Sequence, residues 1–226
     1  MQVKLVSKTE PSGSLKEELE ATSEDLIAYI ARVSNPSNQS NIETSERLIR
    51  YLSKHKHWSP FEMVDLTVEI KTSRLIATQL LRHRSFSFQE FSQRYSQVSS
   101  IESLELRKQA TSNRQSSTDL VEDHEAIDIA VENHFENCMV FYEYLLEKGV
   151  ARECARAVLP LNTSTTLYMK GSLRSWLTFL SVRLHETSQK EIRMITEAIR
   201  DIIKEEFPKV SKAFNGFDGW DKEFLI

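Results

Sequence analysis

The stretch Val64-Asp65-Leu66-Thr67-Val68-Glu69-Ile70-Lys71-Thr72-Ser73-Arg74-Leu75-Ile76-Ala77-Thr78-Gln79-Leu80-Leu81-Arg82-His83-Arg84 changes its hydrophobic period halfway along. Val64, Leu66, Val68 and Ile70 alternate with Asp65, Thr67, Glu69 and Lys71, the period of two expected of a half-buried strand. Ser73 then offers a capping hydroxyl, and Ile76 with Leu80 and Ala77 with Leu81 recur at i,i+4, which predicts a helix from Arg74 to about His83. Gln79, Arg82 and His83 share the opposite, polar side of that helix. A strand that runs straight into a helix predicts a mixed α+β chain.

Working outward supports that class. Upstream, Gln2 to Val6 alternates as a short strand, and Thr9 to Leu15, with Pro11 and Gly13, reads as a loop. Ser23 is expected to cap a helix through Asp25 to Ala31, ending near Ser34-Asn35-Pro36 because proline disfavours helix in the residue before it. A second helix spans Thr44 to Lys54, with Leu48, Ile49 and Leu52 inward. Downstream, the helix end opens into a loop, Tyr95 to Ser100 is extended, and Arg107 to Ser117 is a flexible polar loop. Thr118 to Lys148 reads as a long helix closed by Gly149, with the stripe Ile127, Val131, Phe135, Cys138, Tyr142 and Leu145. Ala151 to Ala157 is a short helix before Pro160, Thr163 to Met169 a strand, and Ser172 to Val182 a helix with Leu173, Trp176, Leu177 and Leu180 inward. Ser188-Gln189-Lys190-Glu191 has the spacing of a capping box for a helix carrying Ile192, Ile195, Ile199 and Ile202 and ending near Phe207-Pro208. The aromatic tail from Phe214 to Ile226 is expected to dock on the body. The class is α+β, mostly helical, in a single domain over residues 1–226.

Composition narrows the function. With 226 residues, 40% hydrophobic and 27% charged, the chain can bury a sizeable core. A net charge of -4 argues against bulk nucleic-acid binding, so an anion site must be a local arginine cluster. No apolar run approaches a membrane span and the N-terminus lacks a signal-peptide core. Two cysteines make no disulfide framework, so a cytoplasmic protein with reduced thiols is expected. Five glycines, with no G-x-G-x-x-G and no P-loop, leave side chains to hold any nucleotide.

Arginine is the prominent chemical theme: Arg82, Arg84, Arg94, Arg156, Arg174 and Arg183. Guanidinium offers a rigid fork of donors for phosphate, carboxylate or paired carbonyl edges. Arg183 follows the apolar stripe Trp176-Leu177-Phe179-Leu180, so partial burial is expected, and a buried arginine needs a partner from protein or ligand. His83, between two arginines, is expected to stay neutral. Glu90 lies between Arg84 and Arg94, where an internal ion pair is the plain reading. Cys154 between Arg152 and Arg156 is either a small packed residue or a thiolate nucleophile, and Ser92 has no base beside it in sequence. His55 and His57 have poor ligand spacing and no H-E-x-x-H or C-x-x-C occurs, so no metal site is expected.

Arg82-His83-Arg84, seven residues and Ser92 resemble the R-H-R-x7-S signature of the flavin-dependent thymidylate synthases, the ThyX type. Ala31-Arg32-Val33-Ser34, His57-x-Ser59-Pro60-Phe61-Glu62, Ala155-Arg156-x-Val158-Leu159-Pro160, and Leu173-Arg174-Ser175-Trp176 through Arg183 resemble that family's other blocks, in order, over residues 25 to 210. The resemblance implies a ThyX-like fold with a small, mainly antiparallel sheet. It also implies methylation of dUMP to dTMP, with carbon from methylenetetrahydrofolate and electrons from NADPH or NADH through FAD, in homotetramers with shared active sites. By the same resemblance, Ser34, Ser59, Glu62, Arg82, His83, Arg84, Glu90, Ser172, Arg174, Thr178 and Val182 make the FAD set. Gln79, Arg82, Glu90, Phe91, Ser92, Gln93, Arg94, Arg156 and Arg183 make the dUMP set. Ser172 and Thr178 stand where some members have asparagine, and Gln93 where glycine is frequent.

This chemistry suits the residues. Arg94, Arg156 and Ser92 can clamp a phosphate dianion, and Arg183 facing a uracil carbonyl would stabilise the enolate that makes C5 nucleophilic. The polar loop from Arg107 to Gln115 is a candidate contact for folate or NADPH. Two other classes compete. A uracil-modifying methyltransferase would use Cys154 as nucleophile and purify colourless. An RNA-binding helical domain would stack bases on Phe86, Phe88 and Phe91.

Overall fold

The computed structural model describes residues 1–217. In chain order its elements are β1 (Gln2–Lys8), α1 (Ser14–Glu17), α2 (Ser23–Ala31), α3 (Ser45–Lys54), β2 (Asp65–Ser73), α4 (Arg74–Leu80) and β3 (Ser87–Glu90). Then follow β4 (Arg107–Gln109), β5 (Ser117–Leu120), α5 (His124–Glu147), α6 (Arg152–Ala155), β6 (Ser164–Ser172), α7 (Leu173–Arg183), α8 (Lys190–Glu206) and α9 (Pro208–Ala213). The class is α+β, with a small antiparallel sheet in the order β1-β2-β6-β3.

The alternation in β2 works as read. Leu66, Val68 and Ile70 are fully buried. Each such side chain contributes about 1.5–3 kcal/mol by leaving water. The other face is polar but not open. Glu69 faces Lys4 and Tyr168 in register, bonds Lys4 Nζ at 3.0 Å, accepts from the Tyr168 hydroxyl at 2.7 Å, and is only 6% exposed. Against the apolar face pack Trp176, Leu177, Phe179 and Leu180 of α7 and Ile192, Ile195, Ile199 and Ile203 of α8. The Trp176 indole N–H donates to the Leu66 carbonyl at 3.0 Å. Gly171, opposite Leu66, leaves room for the Phe86 ring: a Cβ there would lie 2.5 Å from Phe86 Cδ1. Phe86 itself meets Trp176 edge to face at 4.6 Å.

That buried Phe86 explains one departure from the periodicity. α4 is capped by Ser73, whose Oγ accepts from the Ile76 N–H, but stops at Leu80, and Leu81 is exposed. The chain must turn at once to bury Phe86 and pair β3 with β6, a strand that the serine-rich sequence concealed. The loop expected over Arg107–Ser117 contains β4 and the start of β5, a two-stranded hairpin, so α5 begins at His124 and not at Thr118. Gly149, at φ 79°, closes α5 as expected.

Three smaller corrections concern caps and faces. Thr22, not Ser23, caps α2, because Asp25 reaches back to the Thr22 N–H at 2.9 Å and completes a capping box. Ser188 does not cap α8; Gln189 holds that position, and the Ser188 hydroxyl donates to the Val182 carbonyl. Ile203 rather than Ile202 completes the fully buried stripe of α8. On α5 only Tyr142 is buried, in a cluster with Val98 and Ala155, while Ile127 is 44% exposed. An apolar stripe signals burial without naming what covers it. Phe214 and Phe217 join the main core, and the rest of the tail lies outside the described residues.

Candidate active site

The arginine-rich segment and its partners fall into three groups. The first is at the end of α7. Arg183, partly buried, donates through Nε to His83 Nε2 at 2.9 Å. Phe179 meets the imidazole edge-on at 4.9 Å. Burial first, and the Arg183 charge second, push His83 from its ordinary 6.5 down to about 4. The ring is therefore neutral, with its proton on Nδ1 so that Nε2 can accept. Neutrality was expected from Arg82 and Arg84, yet the cation responsible is Arg183. Burial also lowers the pKa of Arg183, and among the described residues its terminal nitrogens bond no protein acceptor. A guanidinium with a neutral partner and unspent forward donors is prepared for an external carbonyl or anion.

The second group gathers Glu62, Ser172 and Arg174. The 3-10 turn Ser59–Met63, entered through Pro60, presents Glu62 to Arg174 Nη1 at 2.9 Å and to the Ser172 hydroxyl. Ser172 also caps α7 by accepting from the Ser175 N–H at 3.2 Å. Thr178 returns its hydroxyl to the Arg174 carbonyl, and Val182 is 51% exposed on the same helix. Ser59 lines a surface cavity of about 560 Å³ with Val33, Trp58 and Met63, beside the exposed Ser34. Arg32 of the same block is structural: it is buried and bonds the Asn41 carbonyl and Thr44 Oγ1.

The third group surrounds Ser92. Ser92, Arg94 and Tyr95 line a cavity of about 340 Å³ with Ala151, Arg152 and Glu153. Arg94 pairs with Glu153 at 3.1 Å, and Arg156 Nε reaches the Glu153 carbonyl at 3.3 Å. Two arginines meeting at one residue, Arg94 at its exposed carboxylate and Arg156 at its backbone carbonyl, form a site where an anion can take the place of Glu153. Gln93 is buried, and its Nε2 lacks a partner. The Phe91 N–H is held by the Thr166 carbonyl at 2.9 Å. Glu90 pairs with neither Arg84 nor Arg94, the plain reading of its spacing; it bonds Arg74 at 3.3 Å and the Thr165 hydroxyl at 2.9 Å, because β3 lies along β6.

Arg82 and Arg84 are exposed and make no ion pair among the described residues, and Gln79 donates to Gln189 Oε1 at 2.6 Å. No hydrogen bond or ion pair among the described residues joins the three groups to one another. Arg74, Thr165, Glu153 and Gln189 escaped the sequence reading, since each depends on a contact across more than ten residues. Cys154 is exposed and its thiol makes no hydrogen bond among the described residues. Among those residues no three His, Cys, Asp or Glu side chains gather around a metal position, and no helix is long and apolar enough to cross a membrane.

Residues 17–209 match the family model described as thymidylate synthase complementing protein. A probable flavin-dependent thymidylate synthase of Paramecium bursaria Chlorella virus 1 is 45% identical over 218 residues, covering 95% of this chain and 99% of that one. A flavin-dependent thymidylate synthase of Synechocystis sp. is 47% identical over 215 residues, covering 94% and 99%. Among solved structures, the UMP/dUMP methylase PolB of Streptomyces cacaoi, bound with 5-Br dUMP, superposes with a TM-score of 0.79 at 28% identity, over 97% of this chain and 96% of that one. The chain belongs to the thymidylate synthase complementing protein family.

Proposed function

We propose that this protein is a flavin-dependent thymidylate synthase that methylates dUMP to dTMP. The observation that carries the chemistry is Arg183, held by the neutral His83 with its terminal donors unspent. The relatives' names and the brominated dUMP held by PolB support the substrate. The methyl group of dTMP is two electrons more reduced than the methylene carbon of methylenetetrahydrofolate. NADPH or NADH supplies those electrons, leaving tetrahydrofolate and the oxidised nicotinamide.

The residues present fit a flavin dinucleotide. Arg82 and Arg84 are exposed cations without a carboxylate partner among the described residues, and Arg174, Glu62 and Ser172 form a ready donor and acceptor cluster. Ser34, Ser59, Glu62, Arg82, His83, Arg84, Glu90, Ser172, Arg174, Thr178 and Val182 would hold FAD. When bound, FAD supplies hydride. The chain's own residues do the rest. Gln79, Arg82, Glu90, Phe91, Ser92, Gln93, Arg94, Arg156 and Arg183 hold dUMP. Arg94 and Arg156 take the phosphate in place of the Glu153 contacts. Arg183 donates to a uracil carbonyl and stabilises the negative charge that develops there as C5 attacks the one-carbon unit. His83 keeps that guanidinium oriented and withholds a competing carboxylate. No enzyme thiolate is needed.

The whole chain acts as one domain in a homotetramer with shared sites. That assembly is supported by the exposed Ile127, Ile129, Val140, Phe141 and Tyr144 of α5 and by site groups that no hydrogen bond or ion pair joins among the described residues. Reduced Cys138 and Cys154 support a cytoplasmic setting. The purified protein is expected to be yellow, to carry FAD, and to couple NADPH oxidation to dTMP formation. Arg183→Ala is expected to retain flavin and lose most turnover. Flavin-loaded protein that makes no dTMP from dUMP and methylenetetrahydrofolate would overturn the proposal.

A further inference from the structure

Gln79 sits on α4 among the residues proposed for dUMP, but its closest polar partner lies 110 residues away in sequence. Its Nε2 donates to Gln189 Oε1 at 2.6 Å. Gln189 occupies the N-cap position of α8 without using its side chain as a cap. Its neighbours are clamped on both sides. Arg107 of β4, with a side chain only 10% exposed, donates through Nη2 to both carboxylate oxygens of Glu191 at 2.7 and 2.9 Å. Lys190 grips both oxygens of Glu105 at 2.8 and 2.7 Å, and Ser188 ties back to the Val182 carbonyl at 3.2 Å. Charge-assisted forks of this kind fix geometry as well as adding energy. The hairpin is thus anchored to the first turn of α8, with a cleft of about 410 Å³ between them, and Gln189 stands at its edge next to Gln79.

We propose that Gln189 is a positioning residue that sets which end of the Gln79 amide faces the pyrimidine. The inference rests on reading Gln79 as a dUMP contact. A carboxamide has a donor end and an acceptor end that exchange by a half-turn of the terminal bond. With Nε2 engaged by Gln189, the acceptor Oε1 is the end left to meet the base. Uracil presents N3–H, a donor, at the position where cytosine presents a bare acceptor nitrogen. Gln79 in this orientation accepts from uracil and opposes its oxygen to cytosine N3. The hairpin and the α8 turn, neither of which need touch the base, thereby contribute to pyrimidine selectivity. Sites that pair a buried polar group with a substrate hydrogen reject analogues lacking it.

The test is calorimetric binding of dUMP and dCMP to the FAD-loaded protein. Gln189→Leu is expected to weaken dUMP by about three- to tenfold, the range of one net hydrogen bond, while leaving dCMP unchanged or tighter, so that the preference for dUMP falls. Gln189→Glu is expected to restore the preference, because a carboxylate only accepts and is favoured at a helix N-terminus. Equal weakening of both nucleotides by Gln189→Leu indicates a structural role and overturns the inference, as does a lost preference in Gln189→Glu. The Gln79→Leu variant separates the two levels. If it weakens dUMP while Gln189→Leu leaves the preference intact, only the positioning role is lost. If Gln79→Leu leaves dUMP binding unchanged, the assignment of Gln79 itself falls, and the positioning role falls with it.

Discussion

Replacing His83 with glutamine removes a titrating ring while leaving an acceptor for the Arg183 Nε–H. The folded chain holds His83 at about 4, against an ordinary value of 6.5. Between those two values the unfolded chain binds a proton that the folded chain refuses, so stability rises with pH across this window. The contribution from neutral His83 is complete above 6.5 and is lost progressively as pH falls toward 4. The slope is about 1.4 kcal/mol per pH unit. From pH 6.5 to pH 5 the loss is therefore about 2 kcal/mol, or about 1–1.5 kcal/mol after allowing for partial solvent access to the ring. The assay is urea unfolding of ligand-free wild-type and His83→Gln protein between pH 8 and pH 5. The carboxylates titrate alike in both proteins, so the difference curve isolates His83. The variant pays a constant cost for the lost ring contacts with Phe179 and Phe86, and then gains on the wild type by about 1–1.5 kcal/mol as pH drops to 5. Parallel stability curves over that range would refute the claim that burial and Arg183 keep this imidazole neutral.

Three further outcomes follow from single contacts. Gly171→Ala places a Cβ about 2.5 Å from the Phe86 ring, which Trp176 hems in, so a loss of about 1–3 kcal/mol and a lower melting temperature are expected; an unchanged melting temperature would show that Phe86 is free to move. Glu153→Gln removes an exposed ion pair, so stability should hold within about 0.5 kcal/mol, while dUMP binding measured by calorimetry should tighten by up to about fivefold as Arg94 loses its competitor. Weaker binding would mean that Glu153 orients Arg94 and does not compete for it. Cys154→Ala should keep turnover within about twofold, because the exposed thiol makes no hydrogen bond to a base among the described residues; abolished turnover would return the nucleophile reading.

The fold was legible wherever a period met a stop signal. β2 and α4 were plain because alternation ends at Ser73, a residue that both terminates the strand and caps the helix. The long α5 ended where Gly149 allowed a positive φ. What failed to show were elements held by partners distant in sequence. β3 is four residues of serine, phenylalanine, glutamine and glutamate, and only the neighbouring β6 makes it a strand. The β4–β5 hairpin looked like a flexible loop because its residues are polar. In fact Gln109 Nε2 donates to the Ala110, Asn113 and Ser116 carbonyls, and Asn113 bonds the Ser116 hydroxyl, so polarity there builds the turn. Ser188 misled because the capping-box spacing was present, but α8 begins at Lys190, which leaves Ser188 one residue before the cap with its hydroxyl donating to the Val182 carbonyl.

At the site, residue types were legible and pairings were not. Arg183 was singled out because it follows an apolar stripe, and that local signal was enough to anticipate partial burial. Its partner was beyond local reasoning, since His83 lies 100 residues away. The Glu62 cluster shows what supplies the missing information. β2 and β6 pair so that Asp65 lies opposite Ser172. Glu62 stands three residues before Asp65 and Arg174 two residues after Ser172, so both flank the same end of that antiparallel ladder. Register alone therefore brings Glu62 to Ser172 and Arg174. A shift of one residue would send every side chain of β2 to the opposite face, exposing Leu66, Val68 and Ile70 and burying Lys71. The hydrophobic cost of exposing those three side chains, about 1.5–3 kcal/mol each, enforces the register. The same core that folds the chain thus aligns the Glu62 cluster, which is why the chemistry could be guessed from the residues while its geometry waited on the sheet.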